Sequence, residues 1–228
     1  PQLWAWGTGR MRTMKSIVDR VLVIFPFEEE LYRREGVNVE FVGHPLVDLA
    51  HATEPRETFL RAHGLDPAAP IVALLPGSRP NEVRRILPDI AAAVPLIAGR
   101  VPGVQFVVAA APNLPRELFD LLDDGAKRNG SGGAGFSRPT VAIVPGRADD
   151  VLASSDVVIT ASGTATVQAA LHERPMVVVY RLSELTYRLG KPFVKVDTYA
   201  MANLVAGRRV VPELIQHDFT PGRVAAET

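Results

Sequence analysis

The sequence predicts an α/β protein built on a parallel β-sheet. Three observations lead there. Short runs rich in β-branched residues recur along the chain, and several are apolar at every position, as strands buried on both faces are. Segments of helical periodicity separate those runs. Glycine-bearing turns follow two of the runs and precede helices, which is where open α/β sheets place their ligand loops.

The expected strands are residues 21–25, 39–42, 71–75, 104–108, 141–144, 157–160 and 176–180. Between them, Leu87, Ile90, Val94 and Ile97 fall at helical spacing after Pro80-Asn81-Glu82, with Pro88 and Pro95 as expected kinks. Residues 114–127 carry Leu118, Leu121 and Leu122 and read as a helix, as does the alanine-rich stretch 163–172. Residues 129–139, with Gly130, Gly132, Gly133 and Gly135, read as a flexible surface loop. A boundary is expected near residues 48–55, at the polar stretch His51-Ala52-Thr53-Glu54-Pro55. Residues 1–50 then read as the tail of a preceding domain, and 51–228 as the main one.

Composition narrows the function. Of 228 residues 47% are hydrophobic, enough for a sizeable core. The 25 basic and 25 acidic side chains cancel, so no global field draws the chain to nucleic acid. Without cysteine there is no disulfide framework and no thiolate metal site, which fits a reducing cytoplasm. No run approaches the ~18–20 apolar residues of a membrane span. The opening Pro1-Gln2-Leu3-Trp4-Ala5-Trp6 has neither an initiator methionine nor a charged leader region, and the chain halts in what reads as a starting helix. A fragment of a longer protein is the expectation.

Two loops carry the chemistry. Pro76-Gly77-Ser78-Arg79 follows a five-residue apolar run and precedes a helix. Glycine permits close backbone approach, serine offers a hydroxyl, a helix start presents N–H groups, and arginine adds a permanently charged fork suited to phosphate. An ordinary turn with a surface arginine is the alternative. Thr160-Ala161-Ser162-Gly163-Thr164-Ala165-Thr166 repeats the arrangement with three hydroxyls around a glycine, and a capped helix packed through small residues is its alternative. Two such loops at one sheet edge favour a nucleotide diphosphate. Neither is a Walker loop, and no Gly-x-Gly-x-x-Gly fingerprint occurs. Metal chemistry is not expected: His44, His51, His63, His172 and His217 are scattered, and no Asp-x-Asp triplet is present. Asp123-Asp124 and Asp149-Asp150 read as solvated helix ends or N-caps.

Read with their flanks, these loops resemble the lipid-A-disaccharide synthase family across nearly the whole chain. The resemblance rests on the opening Pro1-Gln2-Leu3-Trp4-Ala5-Trp6, on Leu22-Val23-Ile24-Phe25-Pro26-Phe27-Glu28 and on Phe41-Val42-Gly43-His44-Pro45-Leu46. It continues through Leu74-Leu75-Pro76-Gly77-Ser78-Arg79 and Ala161-Ser162-Gly163-Thr164-Ala165-Thr166. It ends with Asn203-Leu204-Val205-Ala206-Gly207-Arg208 and Pro212-Glu213-Leu214-Ile215-Gln216. Their order and spacing together are specific.

The resemblance implies a GT-B glycosyltransferase, metal-independent and inverting, with no cofactor. Such an enzyme moves diacylglucosamine from UDP to the 6-hydroxyl of diacylglucosamine 1-phosphate (lipid X), at the cytoplasmic face of the inner membrane. A homodimer is an open expectation. By the same resemblance Arg79 neutralises the departing diphosphate, beside Gly77 and Ser78. Ser162, Gly163, Thr164 and Thr166 cradle phosphate or ribose, and Asn203 and Arg208 complete the donor site. Glu213 and Gln216 either join that site or fix the crossover into the terminal helices, which are expected to be missing. Gln168 departs from the family, which usually has a ribose-binding glutamate there, and Arg209 stands where glutamate is usual. The expected base belongs to the amino-terminal domain, and for Asp19, Glu28 and Asp48 structural roles are expected. Arg10, Arg12, Lys15 and Arg20 read as a solvated basic face, with contact to anionic lipid as the alternative. His44 reads as an interdomain turn.

Overall fold

The strand runs assemble into two parallel sheets in a computed structural model, which describes residues 10–122, 139–183 and 198–228. Helix α1 (Arg10–Ile17) leads into β1 (Val21–Val23), α2 (Pro26–Arg34) and β2 (Val39–Phe41). Strands β1 and β2 pair in parallel with Val21 opposite Val39, closing a right-sized βαβ unit over a small core of Met11, Val21, Val23, Tyr32 and Val37. After α3 (Leu46–Leu49), the chain enters α4 (Arg56–Ala62) and a second series.

That series is β3 (Ile71–Leu75), α5 (Pro80–Ala98), β4 (Gln105–Ala110), β5 (Val141–Pro145), α6 (Ala148–Ala153), β6 (Val157–Ala161), α7 (Thr164–Leu171), β7 (Met176–Tyr180), α8 (Met201–Ala206), β8 (Glu213–Ile215) and α9 (Pro221–Glu227). The six strands lie in the order β5-β4-β3-β6-β7-β8, all parallel. Their inward positions alternate between two cores. Val72, Leu74, Phe106, Val108, Ile159 and Val179 face α5 and α9. Ile71, Ala73, Leu75, Val107, Val158 and Val178 face α4, α6 and α7. Helices on both faces are why these strands read as uninterrupted apolar runs. Full burial of each large side chain contributes about 1.5–3 kcal/mol.

Helix α5 buries Val83, Ile86, Leu87, Ile90, Ala93, Val94 and Ile97, one face at helical spacing. It runs unbroken through Pro88 and Pro95, where kinks are expected. Both prolines are exposed, on the side of the helix away from its buried face. The expected helix at 114–127 begins instead as a 3-10 turn, Arg116–Phe119. Its later part, the loop expected at 129–139 up to residue 138, and Trp4 and Trp6 lie outside the described residues. Strand β8 is a correction to the sequence reading: three residues after Pro212, which pairs with β7 through Glu213 opposite Val178, are too short to stand out as a run.

Asp150 corrects another expectation. It is neither solvated nor an N-cap, being 3% exposed. Its carboxylate accepts the Thr53 N–H (2.7 Å), the Thr53 hydroxyl (3.0 Å) and the Arg147 Nε (2.8 Å). Arg147 in turn pairs with Glu54 at 2.5 Å. Burial pushes the Asp150 carboxyl up, but Arg147 and Thr53 more than offset it and hold it below the ordinary value. Residues 53–54, from the expected boundary stretch, are thereby fastened to α6.

Candidate functional site

A parallel sheet has its topological switch point where successive connections leave in opposite directions. Here β3 lies between β4 and β6, so the chain runs outward from β3 to β5 and then returns to β3's other side at β6. The loops after β3 and β6 are the two that the sequence singles out. Leu75 stands opposite Thr160 in the register, so these loops leave the sheet side by side.

Between them opens a cleft of about 500 Å³, lined by Gly77, Ser78, Arg79 and Glu82 on one side and by Ser162, Gly163, Thr164, Ala165 and Gln168 on the other. Ala109, Ala110, Ala111 and Pro112 after β4, with Gly146 and Asp149 around the start of α6, close its third wall. Glu82, Asp149 and the alanine wall escape a motif reading because they lie outside the glycine-bearing loops; Asp149 becomes part of the site only through the packing of α6 beside α7.

Each loop is shaped by a glycine. Gly77 has φ +122°, and a Cβ there would fall 2.3 Å from the Glu82 Oε2. Glu82 folds back from the first turn of α5 to accept the Ser78 N–H at 3.0 Å, in the manner of a capping box. This revises the expected anion cradle: Pro80 opens α5 without an N–H, and the Ser78 N–H is already taken. On this side the donor is the Arg79 side chain. Arg79 is exposed and lines the cleft, and its guanidinium makes no hydrogen bond or ion pair among the described residues, while its carbonyl accepts the Glu82 and Val83 N–H groups.

On the β6 side the helix end itself is available. Gly163 is the N-cap of α7 with φ 153° and ψ −157°, a region open essentially to glycine alone, and no side chain caps the first turn. Ser162 donates its hydroxyl to the Tyr199 carbonyl (2.9 Å), and Thr166, fully buried, donates to the Gly163 carbonyl (2.8 Å). Both hydroxyls therefore hold the loop, leaving the α7 N–H groups and Thr164 toward the cleft. Tyr180, at the end of β7, is pushed above the ordinary phenol value by burial and by the charge of Glu82, against Arg79 and Arg85.

Not every expected site residue reaches the cleft. Asn203 is 1% exposed; its amide donates to the Val211 carbonyl (3.0 Å) and to Glu213 (2.7 Å), and its oxygen accepts the Val210 and Val211 N–H groups. Glu213 also accepts the Tyr199 and Ala200 N–H groups, so the pair brackets both ends of α8. Gln216 accepts the Leu182 N–H, tying the end of β7 to β8. Arg208 is exposed, beyond the left-handed Gly207 that ends α8, and does not line the cleft. Arg20 pairs with Glu40 (2.8 Å), and His44 accepts the Leu46 N–H (3.1 Å) within its turn.

The model of the lipid-A-disaccharide synthetase family matches residues 1–228. The chain belongs to this family. It is 45% identical over 227 residues to a lipid-A-disaccharide synthase of Myxococcus xanthus, and 43% identical over 227 residues to one of Syntrophus aciditrophicus. Each alignment covers 100% of this chain and 56% or 57% of the relative, so the chain spans about half the length of the curated relatives it matches. Among solved structures it is similar to UDP-GlcNAc 2-epimerase from Methanocaldococcus jannaschii (TM-score 0.56, 14% identity, covering 94% of this chain and 56% of that one). It is also similar to WaaG, a glycosyltransferase involved in lipopolysaccharide biosynthesis (TM-score 0.51, 13% identity, 90% and 51%). These likenesses bear on the fold alone, which is of the GT-B type as the family resemblance implies. No helix among the described residues is long and apolar enough to cross a membrane.

Proposed function

We propose that this chain carries the donor-nucleotide half of a lipid-A-disaccharide synthase. The complete enzyme condenses UDP-diacylglucosamine with diacylglucosamine 1-phosphate, giving the β-1,6 disaccharide 1-phosphate and UDP at the inner-membrane surface. Residues 1–50 belong to the acceptor domain and 51–228 to the donor domain. The observation that carries the reading is the meeting, at the topological switch point, of an unpaired Arg79 guanidinium with the uncapped amino end of α7.

Negative charge grows on the diphosphate as the sugar leaves. A fixed guanidinium on one side and aligned N–H groups on the other stabilise that charge in place of bulk water. The protein's own donors supply this stabilisation in the proposal, without metal or cofactor. Gly77 and Gly163 shape the two walls, and Glu82 fixes the first loop so that Arg79 faces the cleft.

Isothermal titration of this chain with UDP tests the donor site, and transfer by the full-length enzyme tests the reaction. Arg79→Ala should lower transfer by about 10²–10³-fold, the usual cost of one such donor. Because the Arg79 side chain is exposed and unpaired, the variant's unfolding free energy should stay within about 0.5 kcal/mol of the parent's. Transfer at the parent rate overturns the assignment. UDP binding by this chain without any turnover of its own supports the second reading, a nucleotide-binding unit that acts only within the whole enzyme.

A further inference from the structure

The cleft contains a carboxylate that diphosphate binding does not use. Asp149, in the first turn of α6, is partly exposed and lines the third wall of the cleft. One oxygen, Oδ1, accepts from the His172 Nε2 at 2.9 Å and from the Gln168 Nε2 at 3.3 Å. Because a carboxylate only accepts, His172 is the donor here, with its proton on Nε2. The His172 side chain is 9% exposed and sits behind Asp149, so the carboxylate is braced from the protein side. Among the described residues its second oxygen has no hydrogen-bond partner.

A negative group beside a phosphate cradle repels phosphate. Its counterpart in a ligand is therefore a donor, and neutral hydroxyls fit. Placement says which hydroxyls. Gln168 lies four residues beyond Thr164, on the same face of α7 and one turn from the helix end that receives phosphate. That separation is about 6 Å along the axis, the span from a phosphate to the far edge of the pentose attached to it. No group of three or more potential ligands stands ready to hold a metal among the described residues, so Asp149 is not explained as a metal ligand.

We infer that Asp149, held by His172 and Gln168, accepts hydrogen bonds from the ribose hydroxyls of the bound nucleotide and makes the site select ribonucleotides. Asp149 is the specificity residue; His172 and Gln168 position it. The inference rests on the reading of the cleft as a nucleoside diphosphate site.

Titration of the 228-residue chain with UDP and with 2′-deoxy-UDP tests it. The parent should prefer UDP by roughly 10–100-fold, the range for one hydrogen bond to a charged acceptor. In Asp149→Asn the oxygen is still claimed by His172 and Gln168, the amide nitrogen faces the cleft, and the preference should fall to about threefold or less with 2′-deoxy-UDP affinity retained. Asp149→Ala should bring the ratio near one, and His172→Phe should lower it partway by freeing the carboxylate to turn. Arg79→Ala should weaken both nucleotides equally and leave the ratio unchanged. A parent without preference, or an Asp149→Asn variant with the parent's ratio, overturns the inference while UDP binding keeps the donor-site reading intact. Failure of the parent to bind UDP overturns both.

Discussion

Replacing Gly77 with alanine perturbs the first loop through two separable effects. At φ +122° an L side chain is strained, which costs about 1–3 kcal/mol. The new Cβ would also lie 2.3 Å from the Glu82 Oε2 and 2.6 Å from its Cδ and Cγ. Glutamate is flexible, so it moves away, and the Ser78 N–H loses its acceptor at a further ~0.5–1.5 kcal/mol. Together these give about 2–4 kcal/mol, or roughly 5–15 °C in unfolding midpoint for a chain of this size. Thermal unfolding of Gly77→Ala, Glu82→Ala and the double variant separates the parts. In the Glu82→Ala background the alanine should cost only the backbone strain, so the two changes should be less than additive. A Gly77→Ala midpoint within about 2 °C of the parent, or strict additivity in the double variant, would refute the account of how this loop is held.

Two further substitutions probe the frame around the cleft. Asp150→Asn should cost about 2–4 kcal/mol at pH 7, because Thr53 and Arg147 lose a buried charged acceptor. The folded-state pKa of Asp150 lies below its unfolded value near ~3.9, so its contribution is present above that value and disappears as pH falls through the folded one. Urea unfolding at several pH values should therefore show the gap between parent and variant shrinking below about pH 4, and a constant gap contradicts the assignment. Asn203→Ala should destabilise by about 2–4 kcal/mol, since Glu213 and the Val210 and Val211 N–H groups lose their partner. UDP affinity, measured well below the unfolding midpoint, should stay within about threefold of the parent; a larger loss places Asn203 in the donor site instead.

Legibility from sequence followed from what each feature depends on. Residues 71–75 and 176–180 are strands as expected, because apolar β-branched runs of that length have one comfortable place, a sheet covered on both faces. The face of α5 is read correctly from spacing alone. Strand β8 escapes because three residues carry too little pattern. Asp150 reads as solvated because an adjacent acidic pair has no local sign of the Thr53 and Arg147 that enclose it, and Thr53 is 97 positions away in sequence. Asn203 invites a binding role because a polar residue in a family motif looks the same whether it faces a ligand or its own backbone.

The sequence by itself determined the α/β class, the two glycine-bearing loops and the family, since each depends on residue type and short-range order. Glycine's conformational range, arginine's permanent charge and the period of a buried strand are local properties. The tertiary structure decided which loops share a wall and which donors remain available. Strand order 5-4-3-6-7-8 brings residues 75 and 160 opposite each other, and only the folded chain gives the Ser78 N–H to Glu82 while leaving the Arg79 guanidinium unpaired. Hydrogen-bond partners far apart in sequence are chosen by packing, so the same motif residues divide into ligand-facing and structural ones only once the sheet is assembled.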